Sequence, residues 1–486
     1  MPLPADRQTP VTLGIISHER IARSMAGPGI RCWELARALC LDAHVILLSP
    51  AESDLEPDGF EIVTYNDSNL AARLEGCNAI LCQGFIINNH PEIKELGASF
   101  IVDLYVPLTL EALAQYGHLS INEQRDIQGA ILISLMEQLS VGSFFICASD
   151  RQWDYWLGML SAAGRVMPEV FVKDSTFEGL VGIVPFGIPE EPAVATGKVL
   201  KGVHQAIGKD DRVLLWGGGI YNWFDPFTPI KAMAALAERR SDAKLFFLST
   251  DHPNPGVPKM RVNDEAIALS RDLDVYGSSV IFNREWVNYE TRVNYLLESD
   301  IGVYANIPHI ETRFSFRTRV LDCFWARLPI LATDGDALSA MIQERELGLV
   351  VPSGDELAFA EAAERLLDDG ELNARCRENL AAVAPEFKWS VVAEPIRAFM
   401  KRLAAGEAVE PVVHPLGMAN LGAELKDRER RIEELRHRYG LSGGSLKLLK
   451  KGLRAARSVL KAGRTAGGGV RAAGRNIKAY RQRKSR

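Results

Sequence analysis

Short apolar runs alternate along the chain with stretches whose apolar residues recur every three or four positions. The runs at 11–17, 44–49, 79–82, 100–102, 144–147 and 181–185 read as strands buried on both faces. Between the first two, Leu35 and Leu39 give one apolar face to a helix over roughly 32–41. Buried strands alternating with helices predict a parallel sheet. The series then repeats, with strands at 213–216, 244–248, 280–282, 301–304, 329–332 and 349–351 and helices such as 228–239 and 356–367. A polar stretch containing Pro, Gly and Lys separates the two series. The pattern predicts an α/β protein with two doubly wound, Rossmann-like domains facing a cleft, followed by a basic helical tail. The boundaries it gives are 1–190 for the first domain, 191–211 for a linker and 212–388 for the second domain. A crossover helix at 389–404, a linker with a short charged helix at 405–442 and a tail at 443–486 complete the chain. In the charged helix, Leu425, Ile432 and Leu435 stand at heptad-like spacing, too few for a coiled coil.

Composition adds few constraints. With 47% hydrophobic and 24% charged residues, the 486-residue chain is neither disordered, collagen-like nor a disulfide scaffold. Its seven cysteines are irregularly spaced with no C-x-x-C, which predicts free thiols in a reducing cytoplasm. The histidines are scattered, so no zinc cluster is expected. No signal peptide and no membrane-spanning run is legible.

Charge changes the picture more. The net charge of −6 conceals a tail, 443–486, with 14 Lys or Arg and no acidic residue. The preceding residues hold 42 basic and 62 acidic side chains. Within the tail, Leu446, Leu449, Leu453, Ala456 and Leu460 share one helical face, with Lys447, Lys451, Arg454 and Lys461 off it. The expected partner is an anionic membrane surface; without interleaved aromatic residues, nucleic acid is not expected.

Three strand-end segments carry candidate chemistry. Gly217, Gly218 and Gly219 follow a strand and let backbone N–H groups approach a phosphate, or they form a tight turn. Gly27, Gly29 and Arg31 form the equivalent loop in the first domain. Arg319 and Asp322 are three apart, so one helical face presents a cation for a diphosphate and a carboxylate for ribose hydroxyls, or else a surface ion pair. Two D-x-D patterns, Asp272-Leu-Asp274 and Asp334-Gly-Asp336, are a weak metal signal, and Asp-Gly is also a common turn. No cofactor and no divalent metal are expected.

The order of these segments resembles the GT-B glycosyltransferases, most closely the retaining family-4 type. Gly27-Pro-Gly-Ile-Arg31 matches the glycine loop, and Val184-Pro-Phe-Gly-Ile-Pro189 matches V-I-P-N-G-V-D. Val280-Ile-Phe282, Trp286, Val287, Tyr289 and 299–303 match the block V-x-F-x-G-x-V…Y…A-D-x-x-V. Residues 322–333 match E-A-M-A-x-G-x-P-V-V-A-T, and Trp389 leads the returning helix. The resemblance implies transfer from a nucleotide-sugar donor to an acceptor hydroxyl on a glycan or lipid-linked acceptor, without an essential metal. It implies a donor site of Gly217, Gly218, Gly219, Trp286, Arg317, Arg319 and Asp322, with Arg319 the main cation for the leaving diphosphate. Of the family's E-x7-E pair, the second glutamate falls on Asp322 and the first on Phe314; Glu311 is the nearby substitute. Asp103, at a strand end, is expected to face the cleft and act on the acceptor. The function expected is bacterial surface polysaccharide or glycolipid synthesis at the inner face of the cytoplasmic membrane. The alternatives are a degenerate sugar-binding or scaffold protein of the same fold and a sugar-nucleotide epimerase.

Overall fold

Thirteen strands form two parallel sheets among the residues described by the computed structural model, 11–250, 260–407, 411–414 and 430. The first holds β1 (Thr12–Ile16), β2 (His44–Ser49), β3 (Glu61–Thr64), β4 (Ala79–Gln83), β5 (Ser99–Asp103), β6 (Gly142–Cys147) and β7 (Val181–Ile183). Their order is β3-β2-β1-β4-β5-β6-β7. The second holds β8 (Arg212–Trp216), β9 (Ala243–Phe247), β10 (Val280–Phe282), β11 (Ile301–Tyr304), β12 (Ile330–Thr333) and β13 (Gly348–Val351), in the order β10-β9-β8-β11-β12-β13. Strand order reverses between β1 and β4 and between β8 and β11. These are the switch points where doubly wound sheets bind ligands, beyond the strands' carboxyl ends.

The apolar runs are buried as the pattern requires: Leu13, Ile15, Val45, Ile101, Leu245 and Ile330 are all inaccessible. Each such side chain contributes roughly 1.5–3 kcal/mol of transfer free energy. The strand without a sequence signal is β3, a four-residue edge strand whose ends are exposed and whose middle is half-buried. The expected glycine loop at 26–31 is instead the first turn of the helix Gly27–Leu39. Pro28 is accommodated there because first-turn N–H groups have no helical partner.

After the second sheet the chain returns to the first. Ile188 N–H donates to Phe387 O at 2.7 Å, and Trp389 N–H donates to Ile188 O at 3.2 Å. Gly187 permits this approach, since a Cβ there would lie 2.6 Å from the Trp389 ring. The helix Glu394–Ala404 then packs on the first domain, where Phe399 stacks on Phe144 with centroids 5.0 Å apart. All seven cysteines are free, and six are buried. Among the described residues no helix is long and apolar enough to cross a membrane. The expected charged helix at 421–439 and the tail at 443–486 lie outside the described residues, except for Arg430.

Candidate active site

A cavity of about 540 Å³ opens between the carboxyl ends of the two sheets. That volume suits a nucleotide-sized ligand. Side chains bridge its two walls: Arg23 pairs with Glu290 at 2.8 Å, Tyr105 Oη donates to Phe316 O at 3.1 Å, and Gln152 Nε2 donates to Phe314 O at 2.8 Å. Trp286 belongs to this bridging set, its Nε1 donating to Met25 O at 3.2 Å while its ring lines the cavity.

The second-domain wall begins at the glycine turn. Gly218 has φ +110°, a conformation that favours glycine. A Cβ on Gly217 would meet no protein atom within 4 Å, so its backbone stands open to the cavity. Arg319 lies beneath the turn: its Nη2 donates to Gly219 O at 2.7 Å. Its guanidinium sits 4.0 Å from the Phe224 ring centre and 5.1 Å from that of Trp216. Nη1 is buried with no hydrogen-bond partner, and among the described residues no carboxylate pairs with this cation. Burial, aggravated by the neighbouring Arg317 charge, pushes the guanidinium down to about 9; the Tyr221 hydroxyl opposes it. A desolvated, unneutralised cation beside open backbone N–H groups has the chemistry of an anion site.

Arg317 also reaches the cavity, but its fork is engaged. It pairs with Glu311 through Nη2 at 2.8 Å and Nη1 at 3.2 Å, and its Nε donates to Asn306 at 3.0 Å. Glu311, the expected stand-in for the first glutamate, is thereby held in a buried ion pair with side chains 5% and 3% exposed. Phe314 lies against the Tyr155 ring, with centroids 5.3 Å apart. Asp322 is one turn from Arg319, and both line the cavity. Its two oxygens accept from Arg292 Nε at 3.1 and 3.2 Å, yet its side chain remains 28% exposed. Arg292 is fixed by the Tyr289 and Trp325 rings, 3.7 and 4.9 Å from its guanidinium carbon.

The first-domain wall differs from expectation. Asp103 is not on the cavity surface. It pairs with Arg31, Nε to Oδ2 at 2.6 Å, with both side chains 1% exposed. Arg31 also donates to Val184 O at 2.8 Å and Pro185 O at 2.9 Å, clasping the segment that leads out of the first domain. The two residues therefore tie β5, the Gly27–Leu39 helix and that segment together, leaving Asp103 no free oxygen to offer a ligand. Gly27 lines the cavity, whereas Gly29 faces inward, where a Cβ would lie 3.3 Å from Met25. In the second D-x-D, Asp336 caps the helix Ala337–Glu344, accepting from Ser339 N–H at 2.6 Å, and Asp334 accepts from the loop N–H of Ser353 at 3.0 Å. No group of three or more metal-ligating side chains occurs among the described residues.

Glu111, Tyr221 and Trp223 are among the cavity residues that had escaped notice. Glu111 lies in the helix Leu108–Gln115, as the one charged residue of Leu-Thr-Leu-Glu-Ala-Leu-Ala-Gln, and that isolation was the available signal. Tyr221 and Trp223 stack with centroids 5.0 Å apart and planes 4° from parallel, forming a flat aromatic wall that no spacing rule identifies.

Residues 212–369 match the family described as glycosyl transferases group 1. Alpha-D-kanosaminyltransferase of Streptomyces kanamyceticus is 40% identical over 74 residues, 15% of this chain and 19% of that protein. Phosphatidyl-myo-inositol mannosyltransferase of Mycobacterium leprae (strain TN) is 32% identical over 90 residues, 18% of this chain and 24% of that protein. The matched stretch thus spans less than a quarter of either curated relative. Sucrose-phosphate synthase from Thermosynechococcus elongatus superposes with a TM-score of 0.57 at 17% identity, covering 82% of this chain and all of that one. Anabaena HepE, solved in complex with UDP-glucose, superposes at 0.54 and 11% identity, covering 81% of this chain and 99% of that one. The overall fold is that of the GT-B glycosyltransferases.

Proposed function

We propose that this protein is a glycosyltransferase that moves a sugar from a nucleotide diphosphate donor to an acceptor hydroxyl. The observation that carries the reading is Arg319, a buried guanidinium without a carboxylate, beneath an open glycine turn in the cavity between the domains. A diphosphate there would satisfy Nη1 and meet the Gly217–Gly219 backbone. As the leaving group gains charge, the same groups would stabilise it without reorganisation. Asp322, oriented by Arg292 and still partly open, would accept from ribose hydroxyls. Sugar transfer by two relatives and the UDP-glucose bound to Anabaena HepE support a sugar-nucleotide donor. The test is nucleotide release from a panel of UDP-, GDP-, ADP- and dTDP-sugars with the full chain. Release that requires Arg319 supports the reading. Sugar-nucleotide binding without release would favour the scaffold alternative, which Phe314 in place of the family's first glutamate also suggests.

The acceptor we propose is a glycan or lipid-linked molecule in surface polysaccharide or glycolipid synthesis, reached at the inner face of the cytoplasmic membrane. Its support is the tail composition, since each basic residue near an anionic surface contributes about 1 kcal/mol. The full chain is expected to float with phosphatidylserine vesicles, and a chain ending at Ser442 is not. The Leu446–Leu460 stripe adds apolar burial, so part of the binding should survive high salt. Equal flotation of the two chains would remove the tail from membrane binding.

A further inference from the structure

We propose that the stacked rings of Tyr221 and Trp223 are the platform for the donor's sugar, which lies with a C–H face of its ring against the aromatic wall. The proposal rests on the sugar-transfer reading above. It adds which side chains meet the sugar rather than the nucleotide.

Tyr221 abuts the glycine turn. A Cβ on Gly219 would lie 3.2 Å from the Tyr221 ring and 3.3 Å from its hydroxyl oxygen. The Gly219 carbonyl is the one that accepts from Arg319, at 2.7 Å. Trp223 extends the wall with its ring centre 5.0 Å from that of Tyr221, and both half-buried rings line the cavity. The nucleoside end of the donor belongs on another side. Asp322, the ribose acceptor in this reading, is bonded to Arg292, and Arg292 Nη1 donates to Tyr289 O in the segment that follows β10. Trp286 and Val287 of that segment also line the cavity. The aromatic loop instead runs to the end of β11: Phe224 pairs with Asn306, and Asp225 N–H donates to Ala305 O at 3.0 Å. In the sheet, β10 and β11 lie on opposite sides of β8, whose end carries the turn. A donor with its diphosphate at the turn and its ribose at Asp322 therefore directs its sugar to the aromatic loop.

The surroundings favour C–H contact over hydrogen bonding. Arg317 is bonded to Glu311 at 2.8 Å and to Asn306 at 3.0 Å, so these polar groups beside Phe224 satisfy one another. Phe224 lies 6.2 Å from Tyr221 and 6.4 Å from Trp223, ring centre to ring centre, and Phe316 also lines the cavity. Between the two stacked rings, Asn222 accepts from Val262 N–H at 3.4 Å, which fastens the loop that presents them. A pyranose ring has hydroxyls around its rim and C–H groups on its faces. Those C–H groups gain dispersion and the attraction of the negative π face when they lie flat on an aromatic ring. A hydroxyl aimed into such a wall would lose water and find no acceptor.

The test compares wild type, Trp223→Leu and Trp223→Phe in the full chain. Calorimetry measures binding of UDP, GDP, ADP and dTDP and of their sugar conjugates, and the pair that wild type binds is carried forward. Trp223→Leu should bind the bare diphosphate as wild type does and the sugar nucleotide about tenfold more weakly, the effect of losing about 50 Å² of apolar contact. Trp223→Phe, which keeps a flat ring, should recover most of that loss. Equal weakening of both ligands would overturn the proposal, because the wall would then hold the nucleotide. Unchanged binding of both in folded Trp223→Leu would overturn it too, since the rings would only pack on each other. A second measurement uses the wild type alone and does not depend on how a variant folds. Saturating the protein's aromatic protons should transfer to the ring C–H protons of the bound sugar, and no transfer to them would overturn the proposal. Failure of wild type to bind any nucleoside diphosphate would instead overturn the donor-site reading beneath it.

Discussion

Arg319→Ala is expected to lower turnover on the productive sugar nucleotide by about 10²-fold or more, the usual loss when one transition-state charge partner is removed. UDP affinity should fall by about 1.5–3 kcal/mol, the range for hydrogen bonds to a charged group. The fold should tolerate the change, because Arg319 balances no acid and carries an unsatisfied Nη1 in an aromatic cage. Arg319→Met, which keeps bulk and discards charge, should hold or raise the thermal midpoint while losing the same affinity. Calorimetry with UDP and thermal melts check both halves. Unchanged affinity in a folded variant would remove Arg319 from the anion site. Arg317→Ala offers the contrast: it strands Glu311 in a buried site, so its first effect should be on stability.

Asp103→Ala is expected to destabilise the first domain by about 3–5 kcal/mol, the cost of leaving one member of a buried ion pair without its partner. Arg31 would keep its two carbonyl acceptors but lose the only carboxylate that the described residues give it. Urea unfolding followed by tryptophan fluorescence measures the loss. Turnover by the fraction that remains folded at low temperature should be close to wild type. Selective loss of turnover with unchanged stability would mean that Asp103 acts on the acceptor after all.

These two arginines show where the sequence was legible and where it was not. Both sheets could be read because parallel strands buried on two faces leave continuous apolar runs; the edge strand β3, half open to solvent, leaves none. Glycines at strand ends and the Arg319–Asp322 spacing pointed to one cavity wall, since a helix turn fixes which side chains share a face. Pairing could not be read. Asp103 and Arg31 are 72 positions apart, and nothing in either segment announces that they neutralise each other. Glu111 was overlooked for the reverse reason: it belongs to no motif, and its environment is made by helices from elsewhere in the chain.

The paired strands of chain at Ile188 and Lys388 carry a mechanical consequence. The outgoing and returning segments cross between the domains side by side, hydrogen-bonded to each other. Two bodies joined at a single point can twist and slide; joined along a short line, they keep chiefly the freedom to swing about it. Gly187 against Trp389 is then the pivot, and Arg23–Glu290, Tyr105–Phe316 and Gln152–Phe314 are the clasps away from it. Unfastening these contacts, together with the bonds from Trp286 to Met25 O, from Tyr289 N–H to Arg23 O and from Arg151 to Arg313 O and Gly335 O, would admit a ligand while the pin stays packed.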